Sequence, residues 1–300
     1  AEAASAEASA VVDRARIETL LRTAGVYIAA MEVDDRGRLL AAHIGTLEQR
    51  LRELEALAAE GRASEADLAL AAAALEAARA DEVELRQGGR ELSGVLGALL
   101  GRERGIRPKI SGLRIEAVDA AGPEKPAEGP AARQARARKE SAAYGEKAAR
   151  RSLWPELSVF AGNTWRSGGD LDFASEWSAG LSLRFPVLDY ARRAASIRAA
   201  EAGTAAAESR YREARISEAS NAEILLSRMD GLRRREDFLD RAVRGRETAV
   251  AAFRERYAEG RLSLSELLAG EAELLQLAIQ RRSVIFLRAS AFLEYHALRG

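Results

Sequence analysis

Apolar residues fall on one side of a helical repeat over most of this chain. Leu40, Ile44, Leu47, Leu51 and Leu54 recur at steps of four and three, and Met229, Leu232, Leu239, Val243, Val250, Phe253 and Tyr257 keep the same spacing. That period predicts long amphipathic helices of the coiled-coil kind. One of them runs from Asp189 to Glu259, about 70 residues and on the order of 105 Å at 1.5 Å per residue. A helix of that length needs partners along it, so self-association is expected. The stretch from 26 to 45, VYIAAMEVDDRGRLLAAHIG, has a turn-like centre but no alternating face, and it also reads as helix. The period stops between residues 102 and 130, where Pro108, Pro123, Pro126 and Pro130 mark an irregular connection that splits the chain into two halves.

One stretch follows a different period. Residues 157–186 read LSVFAGNTWRSGGDLDFASEWSAGLSLRFP. Trp177, Ala179, Leu181, Leu183 and Phe185 alternate with Ser178, Gly180, Ser182 and Arg184, the pattern of a strand with one apolar and one small polar face. Leu157, Val159 and Ala161 alternate less cleanly with Ser158, Phe160 and Gly162, and SGGDLD supplies the turn between the arms. Each arm has about nine or ten residues, the length a tilted strand needs to cross a bilayer core. Trp154, Trp165 and Trp177, all the tryptophans in the chain, lie at or near the arm ends, where membrane strands place aromatic girdles. The same pattern also suits an amphipathic hairpin packed on helices in a soluble domain, with the tryptophans as core. An isolated pair of strands is marginal, so this one is expected to join others.

The two helical halves resemble each other. Residues 61–101 align without a gap on 260–300, with Gly, Arg, Ser and Leu matching at the start and Ala, Leu and Gly near the end, and Ala-Glu precedes each copy. In AEGR-x-S the Gly follows a long helix and the Ser two residues after the Arg can cap the next one, which predicts a tight turn between antiparallel helices. The resulting division is a first helical hairpin at 1–101, the connection at 102–130, a helix at 131–152, the strand pair at 153–188 and a second helical hairpin at 189–300. The fold class is mainly α, with long antiparallel coiled-coil helices and one β-hairpin whose arms are of membrane-crossing length.

Composition adds exclusions. Lys plus Arg and Asp plus Glu number 46 each, so no net field draws nucleic acid or an anionic surface to the chain as a whole. Cysteine is absent, which removes disulfides and thiolate chemistry. No apolar run reaches the length of a membrane helix, the run at Val284–Leu287 being cut by Arg288, so a chain that crosses a bilayer must use strands. The histidines, His43 and His296, sit on unrelated helices, no glycine-rich phosphate loop follows a strand, and the acids spread along solvated helical faces. No catalytic residue, metal site or cofactor is expected.

Two duplicated helical hairpins, a strand pair that opens after Leu153-Trp154-Pro155-Glu156-Leu157 and closes at Phe185-Pro186-Val187-Leu188-Asp189, and the segment from Arg256-Tyr257-Ala258-Glu259-Gly260 to the end together resemble the TolC-like outer-membrane efflux proteins. The resemblance implies a homotrimer in the outer membrane of a Gram-negative-type bacterium. Strands from three protomers would close one barrel against outer-membrane lipid, and the helices would form a tunnel across the periplasm, working with a periplasmic adaptor and an inner-membrane pump. The face of Trp177, Ala179, Leu181, Leu183 and Phe185 would then meet lipid, with Trp154, Trp165 and Trp177 as interface aromatics. The turns at Gly61 and Gly260 would be the periplasmic tips. Asp67 and Glu266, at equivalent repeat positions, resemble the family's acidic tip residues, and Tyr257 matches an aromatic that tethers neighbouring helices, so these three form the expected tip gate. Both acids also suit simple charge compensation at a helix start.

The chain departs from the family pattern in three places. Leu262 stands where the family's best-known member has a tethering Arg, Ala269 where that member has a further acid, and the first repeat shows no strand pair of its own. Three copies of one pair give six strands, below the roughly eight of the smallest membrane barrels, and the expectation is that the sequence is a fragment of a longer protein. The competing reading is a periplasmic adaptor or a coiled-coil structural protein without a pore.

Overall fold

A computed structural model of the chain describes residues 2–106, 128–167, 173–184 and 190–299. Phe185 and most of the proline-rich connection lie outside the described residues. The elements in chain order are α1 (Glu2–Ala59), α2 (Glu65–Leu99), α3 (Pro130–Arg151), β1 (Glu156–Ser167), β2 (Phe173–Arg184), α4 (Tyr190–Ala258) and α5 (Leu264–Ala297). The stretch 26–45 lies inside α1, as its missing alternation predicted. The chain divides into two compact units, one of Ala1–Arg14 with Pro130–Glu218 and the other of Ala15–Gly129 with Ala219–Gly300.

The larger unit is built from four helices whose apolar stripes meet. Leu40, Ile44, Leu47 and Leu54 of α1 are buried with Ala71, Leu75 and Ala78 of α2 and with Leu264 and Leu268 of α5, and Tyr257 of α4 packs against the same cluster. Four of the five leucine-type positions named from the first period are therefore core, and Leu51 lies at its margin. Further along α5, Phe286 and Ala289 pack on Ile28 and Met31 of α1, and Ala291 and Tyr295 pack on Ala222 and Leu225 of α4. Each side of α5 is thus apolar toward a different neighbour, which is why its sequence lacks a single clean stripe. Ion pairs mark the same contacts, with Arg282 on Asp35 at 3.4 Å and Arg288 on Glu236 at 3.0 Å. Arg288, which interrupts the apolar run, is buried through that pairing.

The smaller unit holds the start of α1, α3, the strand pair and the start of α4. The first backbone N–H groups of α3, at Ala131 and Ala132, donate to the Glu218 carboxylate of α4 at 2.8 and 3.0 Å, so a neighbouring helix supplies the cap that α3 lacks. Arg138 pairs with Glu7 of α1, and Arg150 with Glu201 of α4. At the far end of α3 the Arg193 guanidinium donates to the Ser152 carbonyl, tying the start of α4 to the residue from which the chain turns into β1.

Candidate functional site

The strand pair is a regular antiparallel hairpin in which Glu156 opposes Arg184 and every following partner keeps that register to Ser167 opposite Phe173. In such a ladder, directly opposed residues share a face. The register therefore puts Leu157, Val159 and Ala161 of β1 on the same side as Leu183, Leu181 and Ala179 of β2, with Asn163 and Trp177 completing the row. The other face carries Ser158, Phe160, Gly162 and Thr164 opposite Ser182, Gly180, Ser178 and Glu176. Phe160, which broke the alternation, lies over Gly180, where an added Cβ would come within 2.7 Å of the ring. The large residue on one strand is matched by the absent side chain on the other.

Leu157, Val159, Trp177, Leu181 and Leu183 are 67–76% exposed, and Trp154 just before β1 is 76% exposed. The alternative of tryptophans buried as core is thus excluded for Trp154 and Trp177. Trp165 has its backbone in β1 opposite Ser175. The two strands pair only with each other among the described residues, which leaves one hydrogen-bonding edge of each open. An apolar face left exposed beside two open edges is marginal on its own. Among the described residues no helix is long and apolar enough to cross a membrane.

The two helix-to-helix turns are the same object built twice. Gly61 and Gly260 have φ of 72° and 71°, the left-handed conformation that a side chain resists. Their N–H groups donate to Ala58 and Tyr257 carbonyls, both at 2.9 Å, and the N–H groups of Arg62 and Arg261 reach Leu57 and Arg256 carbonyls, both at 2.8 Å. This double bond pattern closes each preceding helix. Ser64 and Ser263 then cap α2 and α5, accepting from the backbone N–H of Asp67 at 3.1 Å and of Glu266 at 3.3 Å. Glu266 also accepts from the backbone N–H of Ser263, which completes a capping box in the second copy. Those Ser263 bonds, the side-chain one first, hold the Glu266 carboxyl below its ordinary value.

Asp67 and Glu266 therefore act as helix-start residues at equivalent positions, each hydrogen-bonded at 2.7 Å by the hydroxyl of its capping serine. Tyr257 packs at the tip end of the core beneath the Arg50 guanidinium, 5.9 Å from the ring centre. Burial pushes the Tyr257 phenol up, helped by the Asp67 charge, so these two predicted residues share one neighbourhood.

Beside them lies a group that pattern reading missed. Glu271 of α5 is 3% exposed and accepts from Arg50 of α1 at 2.9 Å and from Arg254 of α4 at 2.8 Å. Among the described residues its second oxygen and the Arg50 Nε have no hydrogen-bond partner. The same carboxylate opposes the effect of burial on His43, whose imidazole is held below its ordinary value by desolvation. The expectation that the acids all occupy solvated faces is corrected here. Burial follows from α5 being covered on both sides, which one helix's own sequence does not disclose. No group of His, Asp and Glu able to hold a metal occurs among the described residues.

This combination of a duplicated long-helix hairpin and a membrane-length strand pair defines the bacterial outer-membrane channel fold. The Campylobacter jejuni outer membrane channel CmeC superposes with a TM-score of 0.82 at 15% identity, over 100% of this chain and 66% of that one. CusC, a transmembrane channel, gives 0.85 at 16% identity over 98% of this chain and 71% of its own, and the Vibrio cholerae outer membrane protein VceC gives 0.77 at 20% over 98% and 73%. The chain thus spans about two thirds of the length of CmeC. No curated protein sequence matches it. Residues 127–281, just over half of the chain, match the outer membrane efflux protein family, and the chain belongs to that family. Its members are channel proteins and not enzymes.

Proposed function

We propose that this chain is the protomer of a trimeric exit duct in the outer membrane, in which strand pairs from three copies join one barrel and the long helices continue it through the periplasm. The duct serves a tripartite efflux or type I secretion system, receiving cargo from an inner-membrane pump through a periplasmic adaptor. The observation that carries this reading is the strand pair with its leucine, valine and tryptophan face exposed and one edge of each strand open. Three copies contribute six strands, and the smallest membrane barrels have about eight, so closure draws on strands beyond these two per copy.

The tips form the gate. Asp67 and Glu266, brought together three-fold, make rings of carboxylates that favour cations, and Tyr257 under Arg50 holds the neighbouring helices in place. Two measurements test the proposal. The protein should fractionate with the outer membrane as a trimer that dissociates on heating, and a soluble periplasmic monomer overturns the duct. In a planar bilayer, the doubly neutralised Asp67→Asn, Glu266→Gln variant should lose cation preference while keeping its trimer; unchanged selectivity overturns the gate and leaves the duct standing.

A further inference from the structure

The charge of the chain balances overall, yet its distribution around the strand pair does not. Helix α3 alone carries Arg133, Arg136, Arg138, Lys139, Lys147, Arg150 and Arg151 against Glu140 and Glu146. The excess continues where the chain leaves the hairpin. Arg192, Arg193 and Arg198 lie in the first turns of α4, and that first turn contains no acid. Cations at a helix start oppose the helix dipole, so helix stability does not account for them.

Packing within the unit brings the two basic helix ends together. Arg150 reaches across to Glu201 at 2.8 Å, and Arg193 donates to the Ser152 carbonyl. Those two arginines are occupied in holding the base. Lys147, Arg151, Arg192 and Arg198 are not. All four are exposed and make no ion pair with a carboxylate among the described residues, Lys147 lying over the Tyr144 ring and Arg198 bonding only a carbonyl of its own helix. Exposed Trp154 lies three residues past the end of α3 and two before the start of β1. An indole next to unpaired cations at the foot of a membrane strand is the chemistry that meets lipid headgroups, the ring taking the interfacial layer and the cations the phosphates.

We infer that Lys147, Arg151, Arg192 and Arg198 form a cationic collar around Trp154 that binds the phosphates of anionic phospholipid headgroups in the leaflet at the base of the strand pair. This rests on the membrane reading of the strands given above. The collar sets the depth of the hairpin, because the apolar face begins at Leu157 directly beyond Trp154.

The test uses the full chain, reconstituted into nanodiscs of phosphatidylcholine or of equal parts phosphatidylcholine and phosphatidylglycerol, with retained lipid counted by native mass spectrometry. The wild-type protein should retain phosphatidylglycerol preferentially, the preference falling as salt rises. Replacing the four residues by glutamine should abolish it, at about fivefold per charge removed, while insertion and oligomer persist. The Lys147→Arg, Arg151→Lys, Arg192→Lys, Arg198→Lys variant should restore it. No preference in the wild type, or full preference in the glutamine variant, overturns the inference. If inorganic phosphate at matched ionic strength displaces the bound phosphatidylglycerol, the collar is a free-anion site and the lipid assignment fails. A chain that enters neither lipid overturns the membrane reading with it, whereas insertion without preference overturns the collar alone.

Discussion

Glu271 is the residue on which three helices converge. A buried carboxylate shared by two guanidinium groups has most of its desolvation cost offset by charge-assisted bonds, and removing it strands Arg50 at 12% side-chain exposure. Glu271→Ala should therefore lower stability by about 3–5 kcal/mol, measured by denaturant unfolding of the solubilised protein. Adding Arg50→Leu should recover part of that loss, because the uncompensated charge goes with it. His43 provides a pH signature nearby. Its folded-state value lies below the ordinary one, so as pH falls through about 6.5 the unfolded chain binds a proton that the folded chain resists, and stability is lost toward acid. Melting should be flat above neutrality and fall below it, and His43→Gln should flatten the upper part of that fall. The Glu266 carboxyl, also held low, contributes stability that is present above about 4.5 and lost only below it, which separates the two windows. Neither Glu271 nor its link to His43 could be read from the chain, since a glutamate at 271 looks like every other helical acid until its neighbours are known.

At the scale of elements, the tip turns and the strand pair differ in how much of them was legible. The turns are local chemistry: a left-handed glycine, a capping serine and an acid three residues on interact within a single loop, so AEGR-x-S predicts both copies directly. Ser263→Ala should cost about 1 kcal/mol, and Ser64→Ala less, because only the second turn has the reciprocal box. Thermal melts of the two single variants check the order. The hairpin was legible as two alternating arms, but its register was not. Only the pairing of Leu157 with Leu183 and of Val159 with Leu181 establishes that both apolar rows lie on one face, and only Gly180 beneath Phe160 explains the break in alternation. Leu181→Arg should block membrane assembly, at a cost of about 2–4 kcal/mol near mid-bilayer, while Ser182→Arg is tolerated. Equal recovery of both variants in the membrane fraction would count against a lipid-facing row.

For the molecule as a whole, periodicity, the duplication and the position of the hairpin follow from sequence alone, because each depends on residues close together in the chain or repeated at a constant offset. Family membership rests on the same signals, matching over residues 127–281. The tertiary structure decided three things that no local pattern holds. It showed which helices share the core of the larger unit, with α5 apolar toward α1 at Phe286 and toward α4 at Tyr295. It selected which charges are buried and joined, at Glu271 and Arg288, out of a chain in which 31% of residues are charged. And it brought the ends of α3 and α4 together, leaving four cations without a carboxylate partner among the described residues. The physical reason is the same in each case. Periodicity is written by the chain's own repeat, whereas burial, pairing and the absence of a partner are properties of what arrives from a distant part of the chain.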